Sequence, residues 1–156
     1  MEKEERNARN ELRKAALSQN LDVFGAGCML RRTSSRFCLS VEHGDYNGTE
    51  LFGVGTDRFI WFAFKPNGTT KNRLFSVNFP ADGVVSFEIG STTEKEKLNA
   101  RQTSWAKFAL GVDFILSKRF HWNSNPRIGI DGVIFGNIPG GGMSRSASLA
   151  LNLLIS

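Results

Sequence analysis

An α+β domain, an antiparallel sheet with helices packed on one side, is the architecture expected of this chain on three observations. Between Arg36 and Ile89, short apolar segments alternate with turn residues, as in a meander of strands. From Glu94 the apolar period lengthens to three and four residues, the spacing of a helix face. Residues Ile138 to Leu151, IPGGGMSRSASLAL, then run from a glycine-rich turn through hydroxyls into an apolar stretch that starts a second such helix.

Each element has its own signal. Residues 2–17 place Leu12, Ala15, Ala16 and Leu17 on one side and spread Glu and Lys over the rest, which predicts a solvated leading helix within residues 1–24, ahead of a unit spanning 25–156. After Gly25 and Gly27, Arg36 to Val41 reads as a strand entering a turn at Gly44 to Gly48. Asp57 to Phe64, rich in Phe and Trp, is a second strand, stopped by Pro66-Asn67-Gly68. Leu74 to Phe79 and Val84 to Ile89 are shorter strands around the Pro80 to Gly83 turn. Trp105, Phe108, Ala109, Val112 and Leu116 share one face of a helix running to about Lys118. Arg127 to Phe135 is a further strand, and Ala147 to Ile155 a final helix. That helix carries Leu149, Leu151, Leu153, Leu154 and Ile155 to the end of the chain without a cap, so the polypeptide is expected to be the front part of something longer, or to dock on a partner.

Composition narrows the function classes. At 156 residues with thirteen Phe, the chain can build one core, as one domain or part of one. It holds no uninterrupted apolar run of the roughly 20 residues that cross a bilayer, and MEKEERNARNELRK lacks a signal-peptide core, so a cytoplasmic protein without membrane contact is the expectation. Cys28 and Cys38 lack metal-ligand spacing and read as small buried side chains; His43 and His121 are the only histidines, which leaves little for a zinc site. Asn47-Gly48-Thr49 and Asn67-Gly68-Thr69 read as turns. The formal charge of +5 is scattered, with Arg31-Arg32 and Lys118-Arg119 its densest clusters; no nucleic-acid partner is expected, and an anionic small molecule suits the balance equally well.

The glycine-rich turn is chemistry for holding phosphate. Gly140, Gly141 and Gly142 let main-chain N–H groups approach an anion, and the following helix adds its own unpaired N–H groups at the same spot. No Lys follows the glycines, so this is not the nucleotide loop that ends in Lys and then Ser or Thr. A flexible turn before a core helix remains the alternative reading of these residues. Trp105 and Phe108, one turn apart, read on their own as ordinary packing on a helix face.

Two motifs carry a family resemblance. Ser34 to Gly48, SSRFCLSVEHGDYNG, resembles the first galactokinase signature, GRVNLIGEHTDYNGG, keeping Arg36, Leu39, Glu42, His43, Asp45, Tyr46, Asn47 and Gly48 in register. The glycine loop resembles the second signature of the wider group, the GHMP small-molecule kinases, usually written PxGxGLSSSAS. Between them, Ser104-Trp105-Ala106-Lys107-Phe108 resembles a Trp-Ala-x-aromatic helix segment, and Gly129 to Ile134 the strand leading to the phosphate loop. Order and separation agree over roughly residues 30–156.

The resemblance implies an N-terminal GHMP kinase domain, with its ribosomal-protein-like βαβ fold, incomplete at the C-terminus. It implies transfer of the ATP γ-phosphate to the anomeric hydroxyl of galactose or a related sugar, with Mg2+. Galactose offers only hydroxyls, so two carboxylates and an imidazole on one turn suit its recognition. By resemblance Glu42, His43 and Asp45 contact the sugar, and Arg36 lies beside the transferring phosphoryl group, where a guanidinium stabilises charge. On the residues alone, a polar surface turn with Arg36 paired to an acid is the other reading. Pro139, Gly140, Gly141, Gly142, Met143, Ser144, Arg145, Ser146, Ala147 and Ser148 form the implied nucleotide loop, Ser146 being nearest the magnesium ion. Trp105 and Phe108 resemble the aromatic pair lining the adenine pocket.

Departures are specific. Gly44 stands for the usual Thr, Val41 and Ser35 for Gly, and Gly53 for Pro; the glycine loop is one residue shorter, and Arg145 replaces a serine. Arg145 either adds a phosphate contact or crowds the nucleotide. The aspartate that acts on the sugar hydroxyl and the third signature follow the second in the family and have no counterpart here, so the chain is expected to be inactive alone and to need the missing C-terminal part. A sugar- and ATP-binding sensor without catalysis is the alternative function.

Overall fold

The computed structural model describes residues 2–40, 47–50, 52–90, 105–120, 128–139 and 143–154. Helix α1 spans Glu2–Ser18, with Glu2, Glu4 and Glu5 in its first turn, where negative charge complements the positive helix end. The expectation of a solvated helix is corrected: Ala8, Leu12, Ala15 and Ala16 are buried and pack with Trp61, Ala63, Phe75 and Val133 of the sheet. Small alanines make a narrow strip that carries little hydrophobic signal yet lets the helix lie close.

Five strands follow: β1 (Met29–Ser40), β2 (Phe52–Pro66), β3 (Lys71–Ser76), β4 (Val85–Glu88) and β5 (Ile130–Gly136). Their order in the sheet is β1-β2-β5-β3-β4. The predicted meander is therefore interrupted, because β5 inserts between β2 and β3, antiparallel to the first and parallel to the second. Parallel neighbours need a crossover, and helix α2 (Ala106–Phe120) lies on the path from β4 to β5. Strand β1 begins at Met29 rather than Arg36, since its polar run is covered from the side: the Arg32 guanidinium lies 4.9 Å from the Phe59 ring centre and 5.4 Å from that of Trp61. Beyond β2 the chain turns as expected, with Asn67 Oδ1 accepting from Thr69 N at 3.0 Å and Gly68 at φ +69°.

Ile60, Trp61, Phe62, Ala63 and Phe64 are all buried, so both faces of the sheet need cover. Helix α1 covers one face; α2 and helix α3 (Arg145–Leu154) cover the other, packing Trp105, Ala109 and Leu149 on Ile60, Phe62, Phe64, Leu74 and Ile134. Helices on one side alone is thus corrected to helices on both. Gly132 is required by this packing: a Cβ there would sit 2.5 Å from Phe62 Cε2.

At the α1 end of the sheet, Asp131 is 2% exposed and accepts from Asn67 Nδ2 at 2.9 Å, Asp22 N at 3.3 Å and Arg73 Nη1 at 3.3 Å. A buried carboxylate is tolerated when so partnered, and here it ties the chain after α1 to β3 and β5. Cys28 and Cys38 are half-buried rather than buried and form no disulfide. No helix among the described residues is long and apolar enough to cross a membrane.

Candidate functional site

The site is built where β5 ends. Asn78 Oδ1 accepts from Gly136 N at 2.7 Å and its Nδ2 donates to Gly136 O at 2.9 Å, while Asn137 Oδ1 accepts from Phe59 N at 2.7 Å. These amides continue the strand ladder past its last residue and deliver buried Ile138 and exposed Pro139 to the loop. Gly140, Gly141 and Gly142 lie outside the described residues. At Met143 the chain is part-buried against the core, and Ser144 takes a left-handed φ of +52°.

Ser144 O accepts from Ser148 N at 3.0 Å, closing the first turn of α3. The N–H groups of Arg145, Ser146 and Ala147 then have no acceptor inside the helix, and all three residues are exposed. They form a positive end suited to an anion. Ser148 differs. It is 5% exposed, and its Oγ lies 2.8 Å from Ser34 O and 3.1 Å from Ser144 O, so its hydroxyl is used inside the protein. Ser148 is part of the implied nucleotide loop; its side chain serves as a structural tie between that loop's helix and β1. Thr33 Oγ1 reinforces it by donating to Ser148 O at 2.8 Å.

This tie sets the start of α3 on β1 just before Arg36. Ser35 and Thr56 join by their hydroxyls, the register shifts between Ser34 and Arg36, and Arg36 faces Gly55 across the ladder. Arg36 is exposed, and among the described residues no acid pairs with it. Glu42, His43 and Asp45 lie outside the described residues.

A cavity of about 240 Å³ opens between α2, α3 and the sheet. Phe108 lines it from α2 and Trp105 from the residue just before that helix, Arg145 and Ser146 from α3, and Asn78 and Phe79 from the exit of β3. Core packing and cavity lining are not exclusive: Trp105 is 3% exposed within the core, and its Nε1 has no hydrogen-bond partner among the described residues. Among the described residues no acid lines the cavity, whereas Lys107 and Arg145 both do. Lys107 Nζ lies 5.3 Å from the Phe108 ring centre and the Arg145 guanidinium 5.8 Å from that of Phe79. Lys107, Asn78 and Phe79 are site residues that sequence reasoning missed; a polar residue at the exit of a buried strand was the signal for Asn78. Among the described residues no three His, Cys, Asp or Glu side chains cluster as metal ligands, and Ser146 offers a single hydroxyl.

No family model matches the chain. A galactokinase of Ligilactobacillus salivarius is 32% identical over 117 residues, covering 74% of this chain and 28% of that protein. The chain spans about a third of the length of the curated relatives it matches. Among solved structures, Lactococcus lactis galactokinase complexed with galactose superposes with a TM-score of 0.69 at 27% identity, over 91% of this chain and 34% of that one. Methanococcus jannaschii mevalonate kinase gives 0.63 at 18% identity, over 83% and 39%, a likeness of fold alone.

Proposed function

Because this chain is a galactokinase-like member of the GHMP kinase family, about a third of whose length it matches, we propose that it supplies the nucleotide cavity and part of the sugar pocket of an ATP-dependent sugar kinase. The reaction is transfer of the ATP γ-phosphate to the anomeric hydroxyl of galactose or a related sugar. The pair of hydrogen bonds joining Ser148 to Thr33 and Ser34 carries this reading, because it holds the phosphate-loop helix against the strand that bears Arg36.

The residues present fit the nucleotide. An aromatic wall and two cations, with no acid among the described residues that line about 240 Å³, suit a ligand with a flat ring and an anionic tail. Trp105 and Phe108 flank the adenine; the main-chain N–H groups of Gly140 to Arg145 cradle the phosphates, Pro139 and Met143 position the loop, and Ala147 adds a first-turn N–H. Ser146 presents its hydroxyl to magnesium, a hard ion that takes oxygen ligands. When bound, Mg-ATP supplies the phosphoryl group. Arg36 offsets charge on the oxygens in transfer, and Glu42, His43 and Asp45 hold the sugar hydroxyls in a fixed direction. No aspartate of this chain is assigned to take the sugar proton.

Calorimetry with Mg-ATP and with galactose, beside a coupled ADP-release assay, tests this. Binding of both ligands with little or no ADP release is the expected result. A chain that binds neither overturns the reading, and brisk turnover overturns the division of the catalytic groups.

A further inference from the structure

Resting on that nucleotide reading, we propose that Asn78 and Asn137 are positioning residues for the ligand phosphates: their side-chain amides clip the end of β5 on both sides while the main chains of β3 and β5 leave the sheet. On the β2 side, Asn137 N donates to Phe59 O at 3.1 Å, as one half of a regular antiparallel pair. The other half is changed. Phe59 N donates at 2.7 Å to Asn137 Oδ1, where such a pair would use the main-chain oxygen. On the β3 side, Val77 N donates to Ile134 O at 2.9 Å; the next two bonds, from Gly136 N to Asn78 Oδ1 and from Asn78 Nδ2 to Gly136 O, run through a side chain. The β3 main chain has turned away by then, with Phe79 N donating to Ser76 O at 3.1 Å.

An amide suits both places because it carries a donor and an acceptor in one plane without charge, as the peptide group that it replaces does. The replacement frees the backbone to diverge, and the cavity opens where it does so: Asn78, Phe79, Gly136 and Ile138 all line it. Asn137, not itself among the described residues that line the cavity, stands just before Ile138 and aims the chain that runs on toward α3. Ile138 is 4% exposed, so its place in the wall is tightly packed. The far end of that connection is fixed by the bonds of Ser148 to Thr33 and Ser34. The clip fixes the near end, and phosphates held between β5 and α3 feel any slack in it. A base flanked by Trp105 and Phe108 does not, since those side chains come from α2 and the residue before it.

Calorimetry on the whole chain with ATP and with adenosine, beside thermal melts of the same samples, tests the clip in Asn137→Ala and Asn78→Ala. Both variants should bind ATP about five- to ten-fold more weakly and adenosine within about two-fold of wild type. Asn137→Ser keeps a shorter, weaker acceptor and should fall between wild type and Asn137→Ala. Arg73→Met is the control, because it breaks the contact with Asp131 at the other end of β5. It should lower the melting temperature and leave the ratio of ATP to adenosine affinity unchanged. Asn78 is exposed, so Asn78→Ala carries the test should Asn137→Ala not fold. A wild-type affinity ratio in the folded asparagine variants overturns the positioning role and leaves the nucleotide site standing, as does an equal loss of ATP and adenosine. A wild type that binds neither ligand overturns the nucleotide reading itself, and the clip with it.

Discussion

Replacing Ser148 with alanine removes the one hydroxyl that lies 2.8 Å from Ser34 O, at a residue 5% exposed. A hydrogen bond of this kind contributes about 0.5–1.5 kcal/mol, and a carbonyl left without its partner in a part-buried setting raises the cost toward about 1–3 kcal/mol. Alanine is the better helix former, which returns up to about half a kcal/mol. The net loss is about 1–2 kcal/mol, which for a chain of this size lowers the melting temperature by about 2–8 °C. Thr33→Val removes the other bond, from Thr33 Oγ1 to Ser148 O, and should cost a similar amount. Because both bonds hold the same turn of α3 to the same stretch of β1, the double variant should lose less than the sum of the singles. Thermal melts followed by circular dichroism measure all four proteins, and Mg-ATP calorimetry on the same samples should show affinity falling with the tie. Melting within about 1 °C of wild type for both single variants would refute the claim that these bonds fasten the phosphate-loop helix to the Arg36 strand.

Gly132→Ala should destabilise by about 1–3 kcal/mol or more in urea melts, since the new Cβ would lie 2.5 Å from Phe62 Cε2 and 2.9 Å from Leu74 Cδ2; unchanged stability would mean the two faces are not packed as described. Burial pushes the Cys28 thiol above its ordinary value of 9.0, with Arg9, Lys65 and Arg13 opposing in part. The folded state therefore disfavours the thiolate, so this contribution to stability is present below the ordinary thiol range and is lost as pH rises through the raised value. Cys28 should accordingly react with iodoacetamide more slowly at pH 8 than a free small thiol does, and Cys28→Ser should flatten the alkaline fall in stability; equal rates would contradict the burial.

Much of the fold was legible where one periodicity ran uninterrupted. The spacing of Trp105, Phe108 and Ala109 located α2, and Pro66-Asn67-Gly68 located the end of β2. Strand β1 was shortened because Arg31 to Ser35 look like loop residues, although Arg32 lies along Phe59 and Trp61. The placing of β5 between β2 and β3 had no local signal, since a parallel neighbour is chosen by a crossover and not by the strand's own pattern. At the site, Trp105, Phe108, Arg145 and Ser146 were named from sequence and share one cavity. Ser148 belonged to the same motif, but which way its hydroxyl turns depends on Ser34, more than a hundred residues earlier in the chain. Lys107 was missed for the same reason, since tertiary neighbours define it, whereas Asn78 carried only the faint signal of a polar residue at a strand's exit.

The position of β5 also dictates the order in which the molecule can be finished. The hairpins β1–β2 and β3–β4 share no ladder until β5, which follows both of them in sequence, arrives between them. While a ribosome, adding about 5–20 residues per second, covers the distance from Pro66 to Gly136, two unfinished half-sheets wait with the aromatic run Ile60 to Phe64 still wet. A nascent polypeptide stalled before Ile130 presents two raw borders, each able to recruit a stray strand. The keystone strand thus makes the interval before Ile130 to Gly136 is added the moment at which this sheet most needs a chaperone.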